Sequence, residues 1–277
     1  MQTHSAEVFA SLHKAGEPLL LANAWDVASA VAVRAAGARA IATTSAGAAW
    51  SLGVPDAGGL DTDHAAAVIA RIAAAVSVPV SADIEAGYGD SPDAVAATVA
   101  AVVRAGAAGV NLEDRRNGAS LFTTAQQAKR LAAARAAASD VPVWINARTD
   151  IFLSQACPST RAGVAAALER AAVYKAAGAD SLFVPGLVDL PAIAELAAGP
   201  LPVAVMVWPG APTVAELTAA GVVRISLGSA IAQAAYGLTA RAAAELFTSG
   251  TYDLCANGIE YETMNKALSR VDARLGR

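Results

Sequence analysis

Two carboxylates stand two residues apart at the end of an apolar run. Asp83 and Glu85 follow Val76–Val80, and glycines occupy positions 87 and 89. Side chains that are two residues apart on a strand project to the same face, so this spacing predicts two acids at one strand end. Ionised groups in a chain that is only 16% charged need water, a cation or a partner. Mg²⁺, which prefers oxygen ligands and keeps several waters, is the simplest partner, and a capped strand end with two solvated acids is the alternative.

The composition limits the classes of function. The 277-residue chain has a net charge of −4 without long runs of either sign, which argues against nucleic-acid or membrane partners. Cys157 and Cys255 lack the spacing of a metal knuckle or redox pair, which favours a reduced, cytoplasmic setting. The segment Met1–Ala15 has no apolar stretch typical of a signal peptide, and no later stretch is typical of a membrane span.

One pattern repeats along the chain and predicts the fold. An alanine-rich helix ends in Ala-Gly, at Gly37, Gly106, Gly178 and Gly221, and a short apolar or β-branched run follows each time. Further strands are expected where Val-Pro or Leu-Pro opens an apolar run, at Val78–Val80, Val141–Ile145 and Leu201–Val205. With Leu19–Ala22 as the first, the count is about eight strands, each followed by a helix. This pattern predicts an α/β fold, namely a (β/α)₈ TIM barrel. A doubly wound sheet is the weaker alternative, because no Gly-x-Gly-x-x-Gly follows the first strand.

The barrel is expected to form one catalytic domain over residues 1–250. Residues 251–277 form an additional C-terminal helical segment in this prediction, because helical spacing of apolar residues extends from Tyr252 through Ala267.

Active sites of such barrels lie at the C-terminal ends of the strands. Polar residues follow the second to fifth predicted strands, whereas the sixth to eighth end in the regions of Phe183, Met206 and Gly228-Ser229. An acidic cluster with one arginine, Arg148, indicates an anionic ligand held by a metal ion. The polar strand exits are Ser45-Ala46-Gly47, Asp83 with Glu85, Asn111-Leu112-Glu113-Asp114 and Asn146-Ala147-Arg148-Thr149-Asp150.

These motifs, with Leu52-Gly53-Val54-Pro55-Asp56, resemble the isocitrate lyase/phosphoenolpyruvate mutase superfamily in the same order over about two thirds of the chain. The resemblance implies an enzyme that cleaves or forms C–C or P–C bonds beside a 2-oxo acid, through an enolate bound to Mg²⁺. Mn²⁺ is the alternative cation. Small 2-oxo acids or other carboxylates are the implied substrates.

The resemblance also implies a role for each matching residue. Asp83 ligates the metal, while Asp56, Glu85 and Glu113 hold its water shell. Ser45 and the N–H groups of Ala46 and Gly47 receive the substrate carboxylate, and Arg148 contacts the enolate or oxo oxygen. Trp25 is a further candidate to line the pocket, on the ground of its place near a strand end and not of the resemblance. The expected catalytic residues are Arg148, Glu113 and Asn117. From the residues alone, Ser45 could instead be a turn residue, Arg148 a structural partner of Glu113 or Asp150, and Trp25 a packing residue.

The loop after the fourth strand departs from the family pattern. Isocitrate and 2-methylisocitrate lyases carry Lys-(Lys/Arg)-Cys-Gly-His there, whereas this chain has a shorter, cysteine-free loop with Arg115, Arg116, Asn117 and Ser120 as candidate gate residues. We therefore expect a Mg²⁺-dependent C–C lyase for a smaller or less charged substrate than isocitrate. The alternatives are a P–C mutase or hydrolase, an oxaloacetate-type decarboxylase or hydrolase, and a 2-oxo acid binder without catalysis. The resemblance also implies that a C-terminal helix, here in the segment 251–277, is exchanged between subunits, which predicts a homodimer or homotetramer.

Overall fold

The computed structural model describes residues 2–116, 120–139, 141–154 and 156–275. Within them, nine parallel strands form one sheet in the order β1-β9-β8-β7-β6-β5-β4-β3-β2. Because β1 and β2 are two pieces of one strand interrupted at Ala22, this order makes a TIM barrel of eight strand positions. The strands are β1 Leu19–Leu21, β2 Asn23–Ala24, β3 Ile41–Thr43, β4 Val80–Asp83, β5 Ala107–Glu113, β6 Trp144–Arg148, β7 Ser181–Phe183, β8 Val203–Met206 and β9 Arg224–Ser226.

A helix follows each strand position, as expected for a (β/α)₈ barrel. The glycines expected at helix ends have positive φ angles, for example 102° at Gly37 and 105° at Gly106, so each terminates its helix in a conformation that favours glycine. The helices are α1 Gln2–Ser11, α2 Val27–Ala35, α3 Ser45–Ser51, α4 Thr62–Ala75, α5 Pro92–Arg104, α6 Thr124–Ala137, α7 Thr160–Ala176, α8 Leu190–Ala197, α9 Val214–Ala219, α10 Ala230–Ser249 and α11 Tyr261–Leu275.

The helix α1 packs across the N-terminal end of the barrel, against β5 and β6. Its Phe9 is fully buried. A Cβ on Gly109 of β5 would lie 2.5 Å from the Phe9 ring, so glycine is required for this close approach. The ligand-accessible end of the barrel is therefore the opposite one, where the strands terminate.

The strands that open with proline begin later than predicted. The run Val76–Val80 is a strand only from Val80, and the run Val141–Ile145 only from Trp144. Proline has no N–H to donate to the neighbouring strand. The carbonyl of Pro79 still accepts from the N–H of Ile41, at 2.9 Å, so ladder pairing begins immediately after it.

The C-terminal segment is helical, but its helix starts later than predicted. The helix α10 ends at Gly250, which has a φ of 66°, and a 3₁₀ turn spans Asp253–Cys255. The helix α11 begins only at Tyr261, so the expectation of helix through residues 256–260 was wrong. It contacts α4 and α2 of its own chain. None of the helices in the described part of the chain is long and apolar enough to span a membrane.

Candidate active site

A cavity of about 140 Å³ opens at the C-terminal ends of the strands. Five residues predicted for the site line it, namely Ser45, Ala46, Asp56, Asp83 and Arg148. The other lining residues are Asn23, Thr44, Asn111, Phe183, Met206, Ser226, Gly228 and Ser229.

Asp83 is the last residue of β4 and faces the cavity. Its N–H donates to Thr43 Oγ1 at 2.9 Å, which fixes the end of the strand. Its Oδ2 accepts from Ser45 Oγ at 3.1 Å and, at 3.4 Å, from the Ser45 N–H. Burial raises the pKa of Asp83, and the carboxylate of Asp56 adds to this, while Arg148 and the Ser45 hydrogen bonds oppose the increase. Because one oxygen is already held by Ser45, the carboxylate is oriented before any ligand binds.

Glu85 lies beside Asp83, but not for the reason that strand spacing suggested. The strand β4 ends at Asp83, and Glu85 has a φ of 49° in the following turn, so the expectation of two acids on one strand face was wrong. Its Oε2 accepts from the Gly58 N–H at 2.9 Å, while its Oε1 is buried with no protein hydrogen-bond partner. Burial, with the neighbouring carboxylates of Asp56 and Asp83, raises the pKa of Glu85 to about 7. The carboxylates repel one another, so a cation would stabilise this cluster.

Arg148, at the end of β6, is held by two carboxylates. Its Nη1 lies 3.0 Å from Glu113 Oε2, on the paired strand β5, and its Nε and Nη2 donate to Asp150 at 2.6 and 3.0 Å. Burial opposes the charge, but Glu113 and Asp150 outweigh it and raise the pKa of Arg148. A guanidinium has five N–H donors, so two remain for a ligand in the cavity. Arg148 is therefore both a structural ion-pair partner and a cavity-lining cation.

Glu113 is half of this ion pair and lies close to the other acids. Burial raises its pKa, Arg148 opposes the increase, and the charges of Asp150, Asp83 and Glu85 add to it. Glu113 thus links the arginine to the acidic cluster.

Ser45-Ala46-Gly47 forms the first turn of α3. Thr44 caps this helix and accepts from the Gly47 N–H at 3.5 Å. A Cβ on Gly47 would lie 2.8 Å from both Thr44 Cγ2 and Trp25 Cβ, so only glycine allows this contact. Trp25 thus packs behind the turn, and its ring centroid is 6.4 Å from that of Tyr236.

The ends of the loop after β5 are hydrogen-bonded to each other. The Arg116 N–H donates to the Ser120 carbonyl at 3.1 Å, and Arg116 Nε lies 3.5 Å from Asp90 Oδ2. Arg115 Nη1 lies 4.0 Å from Asp150 Oδ2, next to the Arg148 pair. Asn117, the expected catalytic residue of this loop, lies outside the described residues.

Arg130, on α6, supports the turn that follows Asp83 and was not identified from the sequence. It is 1% exposed and donates to the carbonyls of Ala86, Gly89 and Asp90, the last two at 2.8 and 2.6 Å. Its guanidinium carbon lies 4.1 Å from the centroid of the Phe122 ring. The partners are 40 to 44 residues away in the chain, so no local sequence signal could have revealed them.

Replacing Arg130 by methionine should loosen this turn specifically. The turn contains Glu85, Gly87 and Tyr88, all with positive φ, and it loses three buried carbonyl partners in Arg130→Met. We expect a loss of about 3 kcal/mol in the free energy of unfolding and faster amide hydrogen exchange in residues 84–90. Denaturant titration and exchange mass spectrometry measure both. Arg135, also on α6, donates instead to carbonyls of Val143 and Gly178, so Arg135→Met is the control that should destabilise the protein without exposing this turn.

A hard cation suits the donor chemistry at this site. The acids supply oxygen donors, and the unpartnered Glu85 Oε1 points to a missing partner. No three His, Cys, Asp or Glu side chains in the described ranges lie close enough together to ligate one ion directly. The oxygen donors of the cluster therefore fit a hard cation such as Mg²⁺, which keeps several waters when bound to protein.

Comparison with known proteins identifies the family of this chain. Residues 9–247 match the model of the phosphoenolpyruvate phosphomutase family. A Mycobacterium tuberculosis protein of uncharacterized function is 40% identical over 223 residues, covering 80% of this chain and 81% of its own. The 2-methylisocitrate lyase of Escherichia coli is 32% identical over 200 residues, covering 69% of this chain and 65% of that enzyme.

The fold is shared over nearly the whole chain. A crystal structure of a Burkholderia cenocepacia J2315 protein, provisionally assigned as a lyase or mutase, superposes with a TM-score of 0.89 at 35% identity, covering 97% of each chain. With the match to residues 9–247, these similarities establish that the chain belongs to the phosphoenolpyruvate mutase family of the isocitrate lyase/phosphoenolpyruvate mutase superfamily.

Proposed function

We propose that this protein is a Mg²⁺-dependent lyase that cleaves a C–C bond in a small 2-oxo acid or its adduct. The observation that carries the proposal is the cavity in which Asp83 and Asp56 face a single cation, Arg148. Members of this superfamily include lyases and mutases, which supports an enzyme of this class. Mn²⁺ is the alternative metal.

Asp83 is the proposed direct ligand, and Asp56, Glu85 and Glu113 are the proposed holders of the water shell. When bound, Mg²⁺ would supply positive charge to the carboxylate and oxo oxygens of the substrate. Support comes from the orientation of Asp83 by Ser45 and from the buried, unpartnered Glu85 Oε1.

Arg148 is the proposed catalytic contact to the oxo oxygen of the substrate. In a hydroxy acid adduct, the hydroxyl loses its proton as the C–C bond beside it breaks, so that its carbon becomes the oxo carbon of the released 2-oxo acid. The electron pair of the broken bond stays on the other fragment, which takes up a proton, and negative charge develops on the oxygen that becomes the oxo group. The two N–H donors that Glu113 and Asp150 leave unused would stabilise this charge, since the guanidinium is already fixed in place. Glu113 would contribute to catalysis through its ion pair with Arg148, which fixes the position of the guanidinium.

The carboxylate of the substrate is assigned to Ser45, Ala46 and Gly47, with Trp25 packed behind Gly47. Binding would require Ser45 and Gly47 to exchange their present acceptors, Asp83 and Thr44, for the substrate. Small residues here let backbone N–H groups approach a ligand closely. Asn117, in the loop after β5, is the remaining proposed catalytic residue, and its side-chain amide could hydrogen-bond to the substrate.

Product analysis distinguishes this proposal from other chemistry in the superfamily. The protein, with Mg²⁺, is incubated with 2-hydroxy di- and tricarboxylates, phosphonopyruvate and oxaloacetate, and products are followed by proton and phosphorus NMR. Release of a 2-oxo acid from a hydroxy acid supports the lyase. Inorganic phosphate from phosphonopyruvate, or pyruvate or oxalate from oxaloacetate as the sole reaction, would contradict it.

The raised pKa of Glu85 predicts how stability depends on pH. Its folded pKa is about 7 against an ordinary value of 4.5, so the folded state binds more protons than the unfolded state between these values. The metal-free protein should therefore lose about 3 kcal/mol of stability as pH rises from about 4.5 to about 7. Mg²⁺ needs the ionised carboxylate, so its stabilising effect should grow over the same range.

Thermal melting at a series of pH values, with and without excess Mg²⁺, measures both trends. Glu85→Gln should flatten the pH dependence of the metal-free protein. A metal-free protein that gains stability as pH rises through this range would contradict the prediction.

We also propose that two copies of the chain exchange a C-terminal helix, and that this helix is α10 rather than part of the expected segment 251–277, because α11 of that segment contacts α4 and α2 of its own chain. Of the 20 residues of α10, only Ala232 is buried, and Phe247 near its end is 82% exposed. An apolar groove of about 640 Å³ lies beside its first turn, between β1 and α2, where the eighth helix of a barrel would pack. The groove is lined by residues that include Leu19, Leu20, Ala32, Val33, Ala36 and Ile231.

A charge in the groove should break the dimer. Leu20 is 50% exposed within it, so Leu20→Asp is expected to convert a dimer or tetramer to monomer in light scattering after size exclusion. Val173, an exposed apolar residue on α7, provides the control Val173→Asp, which should leave the assembly intact. A monomeric wild-type protein would refute the exchange.

A further inference from the structure

The ends of the six neighbouring strands β4 to β9 divide into a charged half and an uncharged half. The charged half comprises β4 to β6, which end in Asp83, Glu113 and Arg148. The other half comprises β7 to β9, which end in Phe183, Met206 and Ser226. The boundary lies between neighbouring strands, because Arg148 pairs in register with Phe183.

No second cation serves the uncharged half among the described residues that line the cavity. Arg148 is their only cationic side chain, and Glu113 and Asp150 already pair with it. A second substrate carboxylate placed against Phe183 and Met206 would lose its hydration, and the two unused N–H donors of Arg148 are already assigned to the oxo oxygen of the substrate. Such burial costs several kcal/mol.

Both apolar side chains are held in place. Phe183 is 4% exposed, and its ring centroid lies 6.0 Å from the Arg148 guanidinium carbon. Met206 packs over the end of β9, since a Cβ on Gly228 would lie 2.4 Å from its Sδ. Phe183 and Met206 therefore form a preformed apolar wall of the cavity, in which only the flexible thioether of Met206 can adapt to a ligand.

We propose that Phe183 and Met206 determine specificity, selecting substrates whose group beyond the 2-oxo acid end is short, aliphatic and uncharged. This inference rests on the proposed function, because it assumes that the 2-oxo acid end binds at Asp83 and Arg148. The substrate class is then the hydroxy acid adduct of a 2-oxo acid with a small alkyl substituent, whose cleavage releases that 2-oxo acid, rather than a tricarboxylate.

A pair of matched ligands tests this selectivity. The compound 4-methyl-2-oxopentanoate carries two methyl groups where oxaloacetate carries two carboxylate oxygens. Displacement of oxalate by each, with Mg²⁺ present, gives their relative affinities. We expect the alkyl compound to bind at least about tenfold more tightly, because oxaloacetate must bury an unpaired charge.

Variants of Met206 test whether this side chain determines the preference for the uncharged ligand. Met206→Lys supplies the missing cation and should shift the affinity ratio towards oxaloacetate by at least about tenfold, whereas Met206→Leu should keep the wild-type order. Equal or tighter binding of oxaloacetate to the wild-type protein overturns the inference, whatever the variants do. Failure of oxalate to bind even with metal would instead overturn the proposed function.

Discussion

Asp83→Asn should abolish metal-dependent binding of oxalate without destabilising the metal-free protein. The substitution keeps the shape of the side chain but removes the charge of the proposed direct ligand, so we expect a loss in affinity of roughly 100-fold or more. It also removes one member of a repulsive cluster with Asp56 and Glu85, so thermal stability should stay constant or rise.

Calorimetric titration and thermal melting measure the two effects of this substitution. Asp180 provides a matched control, because its carboxylate pairs with Arg135 and accepts from the Ile145 N–H, both remote from the cavity. Asp180→Asn should lower the melting temperature and leave oxalate binding unchanged. Metal-dependent binding of oxalate that persists in Asp83→Asn would show that Asp83 is not the metal ligand.

Substitution of Arg148 should cost both activity and stability, and the two losses can be separated. Arg148→Lys keeps the charge but cannot reach Glu113 and both oxygens of Asp150 at once, so we expect a decrease in kcat/KM of about 100-fold or more. Arg148→Met removes the cation that Glu113 and the buried Asp150 share, which should cost about 3 kcal/mol of stability.

The double variant Arg148→Met/Glu113→Gln separates the roles. Neutralising Glu113 removes one of the stranded charges, so part of the stability should return while activity stays lost. Denaturant titration and steady-state kinetics form the double-mutant cycle. If activity returned together with stability, Arg148 would have only a structural role.

The architecture was predictable because its signals are local. The Ala-Gly helix ends, with positive φ at Gly37 and Gly106, and the apolar runs between them predicted the strands and their number correctly. Strand starts were less accurate, since Pro79 and Pro142 delay ladder pairing beyond the start of each apolar run.

The acids were predicted as neighbours for a reason that was partly wrong. Periodicity of side chains on a strand cannot reveal that β4 stops at Asp83 and that Glu85 adopts a left-handed conformation. Arg130, 44 residues beyond Ala86, donates to carbonyls of that turn. Such a contact arises from tertiary packing, so local sequence patterns do not predict it. The ion pairing of Arg148 was among the sequence alternatives, whereas the contact of Thr43 with Asp83 was not.

Calorimetric titration of oxalate into the wild-type protein, with Mg²⁺ and then with excess chelator, tests the central claim most directly. The account predicts binding in the presence of the metal and its loss on chelation, because Asp83, Asp56 and Glu85 repel an anion unless a cation offsets their charge. Equal binding in the two conditions, or binding in neither, would contradict the account and leave the acidic cluster a structural feature of the barrel.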